Sequence, residues 1–76
     1  MEISSVLEAV RKEVDRATFK YGPFVSNHEG FAILLEEVDE LWEIIKKKPD
    51  SIKQEELRME AIQVAAMAAR FLVDRC

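Results

Sequence analysis

At 76 residues the chain has room for one small domain, near the size at which a lone hydrophobic core is marginal. Hydrophobic residues make up 49% and charged residues 34%, a balance that excludes a disordered chain, while the net charge of −4 argues against a nucleic-acid-binding surface. Cys76 is the only cysteine, so no internal disulfide can form, which fits a reducing cytoplasm. The single basic cluster, Lys46, Lys47 and Lys48, is too small to neutralise a nucleic-acid backbone. The stretch MEISSVLEAV lacks the basic start and continuous apolar run of a signal peptide, and no stretch is long and uncharged enough to cross a bilayer. The expectation is a cytoplasmic protein without membrane partners.

The pattern divides residues 1–76, read as one domain, into three helices. In the first, Ile3, Val6, Leu7, Val10, Val14 and Ala17 recur at steps of three and four. Ser4 or Ser5 is the candidate cap, and Tyr21-Gly22-Pro23 ends the helix. The second starts near Ser26, where Ser26-Asn27-His28-Glu29 has the capping-box form. Its stripe is Phe31, Leu34, Leu35, Val38, Leu41, Trp42 and Ile45, and the three lysines at its end complement the helix dipole. Pro49-Asp50 breaks the chain, and a second capping box at Ser51 to Gln54 opens a helix from about Ile52 to Asp74. No strand pattern is present, so the fold class is all-α.

From Ala61 to Val73 the third helix is apolar nearly all round, with alanines at 61, 65, 66, 68 and 69. Such a helix is normally buried on every side, which two amphipathic partners in one short chain cannot do. A second copy can, so the expectation is a three-helix protomer forming a bundle through homo-oligomerisation. A polar ladder of Glu60, Gln63, Arg70 and Asp74 interrupts this helix, and Arg70 can pair with Asp74 at i,i+4.

The chemistry-bearing residues are acids. Glu37 and Glu40 are three apart and project from one helix face, Glu36 adjoins them, and Glu60 can face them from the third helix. Oxygen ligands without His or Cys select Mg²⁺ or Mn²⁺ over zinc. The plainer alternative is a solvated acidic face in which Glu36, Asp39 and Glu43 pair with Lys46 or Lys47.

The run Glu36-Glu37-Val38-Asp39-Glu40, followed after 19 residues by Glu60-Ala61-Ile62-Gln63, resembles the Glu-x-x-Glu, gap, Glu-x-x-Asp signature of the all-α nucleoside triphosphate pyrophosphohydrolases, the MazG-like family. The likeness runs through HEGFAILLEEVDELWEIIKKK and EAIQVAAMAARFLVD, in the manner of a small, compact branch. It departs at Gln63, where the family carries Asp.

The resemblance implies water attack between the α- and β-phosphates of an NTP or dNTP, giving NMP or dNMP and pyrophosphate with Mg²⁺ (or Mn²⁺) as cofactor. It implies Glu37, Glu40 and Glu60 as metal ligands with Gln63 as a weakened fourth, Glu36 and Glu37 in the catalytic role, and a homodimer or homotetramer. His28 is a candidate phosphate contact, though a role at the helix start is the simpler account. Lys47 and Lys48 can draw in a triphosphate or merely complement the helix dipole. Because an amide at 63 removes negative charge from the site, a catalytically weak or inactive helical dimerisation module stands as the alternative.

Overall fold

The apolar periodicities become three helices without a strand. The computed structural model describes residues 1–76: α1 spans Ile3–Tyr21, α2 spans Asn27–Ile45 and α3 spans Gln54–Arg75, with a 3-10 turn at Pro49–Ser51. No helix is long and apolar enough to cross a membrane.

α3 is the central element. Both α1 and α2 pack on it and hardly on one another, which leaves a cleft between α1 and α2 with α3 as its floor. The core gathers Ala17 of α1, Phe24 of the first loop, and Ala66 and Met67 of α3, with Val10, Val14, Ile33, Leu34 and Phe71 packed around them. Gly30 on α2 permits this approach: a Cβ there would stand 2.8 Å from the Phe71 ring and 3.0 Å from that of Phe24.

The helix ends differ from the sequence expectation where side-chain capping was assigned. α1 starts at Ile3 behind Glu2, with no side-chain cap, so Ser4 and Ser5 lie inside the helix. Gly22 does end it, at φ +75, the left-handed region that favours glycine. At α2, Ser26 Oγ accepts from the Glu29 N–H as a cap should, but the Glu29 carboxylate accepts one residue further back, from Val25 N–H. The expected box at Ser51 does not form. Ser51 closes the 3-10 turn, Ile52 and Lys53 are extended, and α3 begins at Gln54 without a side-chain cap. The lysines also fall outside the last turn of α2: Lys46 is the C-cap and binds Glu43 at 2.8 Å, while Lys47 and Lys48 follow it.

Burial redistributes the apolar surface. α2 turns Gly30, Ile33, Leu34, Glu37, Leu41 and Ile44 inward, while Phe31, Leu35, Val38, Trp42 and Ile45 remain at least 41% exposed. Ala66 of α3 belongs to the intrachain core, whereas Ala61, Ala65, Leu72 and Val73 face outward. The apolar surface left open is therefore shared by all three helices: the α2 row, Ile3, Leu7, Phe19 and Tyr21 of α1, and Met59, Leu72 and Val73 of α3.

Candidate metal centre

Glu37 owes its inward direction to helical register. It falls on the same side of α2 as Leu34, Leu41 and Ile44, the residues that seat the helix on α3, and Glu40 follows one turn later. Glu60 comes from the second turn of α3. The three side chains converge so that one carboxylate oxygen from each lies within 4.8 Å of the others. Glu37 and Glu60 are half-buried and Glu40 is exposed.

Three carboxylates so close cannot all remain ionised cheaply. Glu60 shows the consequence: its pKa is pushed up to about 8, first by desolvation and then by Glu37 and Glu40 beside it. Its Oε2 is buried without a hydrogen-bond partner. A cation held among the three carboxylates would offset their repulsion and give that oxygen a partner. The three carboxylates are a group that could hold a metal ion.

The cleft beside the cluster has a volume of about 490 Å³, within the range of small-molecule sites. Glu37 belongs to both, whereas Glu40 and Glu60 do not line the cleft. Glu36, exposed, and Gln63, half-buried, line the same cleft. Across it stand Arg16 of α1 and Arg70 of α3.

Other expected contacts are made elsewhere. His28 is exposed and lines a separate cavity with Asn27, Phe31 and Phe71. Lys47 and Lys48 are exposed beyond α2 and line neither the cleft nor the cluster. The solvated-face account fits Glu43, which pairs with Lys46, but neither Glu36 nor Asp39 takes a lysine partner. Arg70 and Asp74 do not form the expected ion pair. The buried Arg70 instead donates to Gly22 O at 2.7 Å and stacks 4.3 Å from the Phe24 ring centre. Asp74 accepts from Phe24 N–H at 2.9 Å.

Two neighbours of the site were missed by sequence reasoning. Glu13 of α1 is clamped by Arg16, whose Nε donates to both carboxylate oxygens at 3.0 and 2.9 Å. That pairing holds the Glu13 pKa below the ordinary carboxylate value against the opposing effect of burial, and the Gln63 side chain, which reaches the same carboxylate, lowers it further. The available signal was register: Glu13 lies between Val10 and Ala17 on the inward stripe of α1.

Comparison with protein families, with curated proteins and with solved structures finds no match for this chain.

Proposed function

We propose that the protein is a Mg²⁺-dependent nucleoside triphosphate pyrophosphohydrolase of the MazG-like kind, a nucleotide house-cleaning enzyme of the cytoplasm. One observation carries the reading: Glu37, Glu40 and Glu60 converge from two helices, and a buried oxygen of Glu60 lacks a partner. Glu37, Glu40 and Glu60 would hold the metal, and the Gln63 carbonyl oxygen can add a neutral ligand. When bound there, Mg²⁺ would neutralise phosphate oxygens and lower the pKa of an attacking water. Glu36, exposed and lining the cleft, would take that water's proton. The cleft between α1 and α2 is large enough for a triphosphate and part of a nucleoside.

Self-association into a dimer or tetramer belongs to the same reading. Phe31, Leu35, Val38, Trp42 and Ile45 repeat at alternating steps of four and three, the spacing of a coiled-coil seam, and all are exposed. A second copy of the chain would cover them. This seam also favours the second reading, a non-catalytic helical dimerisation module, because it needs no chemistry at the acids.

Pyrophosphate release over a panel of NTPs and dNTPs with Mg²⁺ separates the two readings. The enzyme reading expects turnover that falls to background in Glu40→Gln, a variant that keeps the side chain's shape. A wild-type chain that binds neither Mn²⁺ nor nucleotide yet self-associates would leave the module reading standing.

A further inference from the structure

Arg70 is the one charged residue buried in this fold, at 3% exposure, yet no carboxylate lies within ion-pairing distance of it. The exposed residues Arg11, Lys12, Arg16, Lys46 and Arg58 each have an acid partner. The cation that most needs a counter-charge is the one without it. A guanidinium carries five N–H donors, of which Gly22 O takes one at 2.7 Å and Met67 Sδ, a weak acceptor, another at 3.5 Å. The Nε–H is buried and has no partner. Holding the Gly22 turn therefore uses one strong hydrogen bond and does not require a buried charge, which is costly unless paired.

The place of the guanidinium follows from what it touches. Arg70 lines two cavities, the cleft between α1 and α2 and a second one that contains Asp15 and Asp74. Gly22, Met67 and Phe24, whose ring centre lies 4.3 Å from the guanidinium carbon, all line the cleft, and none of them lines the second cavity. The charged end of the side chain thus belongs to the cleft. Arg16, the other cation there, is already neutralised by Glu13.

We propose that Arg70 is an oxyanion-binding residue of the cleft and takes a phosphate group of the ligand. The planar fork of a guanidinium matches phosphate, giving two parallel hydrogen bonds to one group. The inference rests on the nucleotide reading of the cleft and deepens it, because the phosphate contact comes from α3. Lys47, Lys48 and His28 do not line this cleft and have no part in that contact. Glu36 and Glu37, which also line the cleft, oppose a bare anion, so a divalent cation should tighten the phosphate.

The Nε–H signals of the arginines in nitrogen-15 spectra of the whole chain test this without any assay of turnover. Of the five arginines, Arg70 is the one whose signal persists in each of Arg11→Lys, Arg16→Lys, Arg58→Lys and Arg75→Lys, all exposed positions. Inorganic phosphate in the millimolar range, without metal, should move that signal together with the amide signals of Gly22 and Phe24. Mg²⁺ should lower the phosphate concentration required. Chloride at equal ionic strength should leave all three in place. Arg70→Lys keeps the charge and loses the fork, so the Gly22 and Phe24 response should need about tenfold more phosphate. An Arg70 signal that phosphate leaves unmoved, with and without Mg²⁺, overturns the inference whether or not the variant folds. Equal movement in chloride overturns it too, since screening alone would then account for the response. A chain that binds Mn²⁺ and releases pyrophosphate without an Arg70 response loses this contact and keeps the proposed function. An Arg70 response in a chain that binds no Mn²⁺ keeps the contact while the metal reading fails.

Discussion

The polar ladder of α3 meets two fates along one helix. In its C-terminal half Arg70 and Asp74 reach outward to a loop: Arg70 donates to Gly22 O and Asp74 accepts from Phe24 N–H. Arg75 adds a contact to Asn27 Oδ1 at 2.9 Å. Complementary groups meet there, and the result is a fixed turn between α1 and α2. In its N-terminal half Glu60 meets like groups, Glu37 and Glu40, and keeps a buried oxygen without a partner. The difference teaches what a polar residue on an inward helix face is for. Where partners are complementary it holds the structure; where they are alike it carries a cost in repulsion and desolvation.

The contrast can be broken first at the loop end. Arg70→Ala removes a buried donor, leaves Gly22 O unpaired and empties the space against Phe24, so it should cost about 3 kcal/mol in a urea titration. The acidic end should respond with the opposite sign. Glu60→Gln should raise metal-free stability at pH 8 by about 1 kcal/mol, read as a melt some 5 °C higher, and abolish the rise in melting temperature with Mn²⁺. The pH dependence follows from the same group. Glu60 binds its proton more tightly folded than unfolded, between its ordinary value of 4.5 and about 8, so the folded state loses stability as pH rises through that window. Metal-free melts from pH 5 to 9 should fall in the wild type and flatten in Glu60→Gln. Asp74→Asn gives the smallest effect, about 0.5–1 kcal/mol, because the amide oxygen still accepts from Phe24 N–H but without the charge. A loss as large as that of Arg70→Ala would mean that Asp74 does more than hold this loop.

Helix number and order were legible because apolar residues at steps of three and four in α1 and α2 line one side of a helix and would scatter over both faces of a strand. The convergence of Glu37, Glu40 and Glu60 was legible for a related reason: an acid that shares the inward register must meet whatever packs there. The Arg70–Asp74 pairing was misread because an i,i+4 rule sees only one helix, whereas the partner carbonyl and N–H lie 48 and 50 residues away. The Ser51 cap failed because Pro49 initiates a 3-10 turn that uses Ser51 before the α-helix begins. Glu13 went unread for want of a motif, though its register on α1 marked it. The exposed row on α2 was hidden inside a broader stripe: Leu34 and Leu41 are half-buried while Phe31, Leu35 and Trp42 are exposed, and sequence spacing alone does not say which subset faces inward.

That α1 and α2 both rest on α3 and hardly on each other has a consequence for how the chain assembles. α2 and α3 are joined by a short connection, residues 46–53, so their docking closes a small loop, whereas α1 must find α3 across the whole of α2. Loop-closure entropy thus favours an α2–α3 hairpin as the early folded unit, with α1 arriving last. Glu37, Glu40 and Glu60 meet within that hairpin, so the acid cluster exists before the domain is complete. Arg16 completes the cleft beside it only when α1 closes, and amide protons of α1 are then the first that a partial opening releases to solvent.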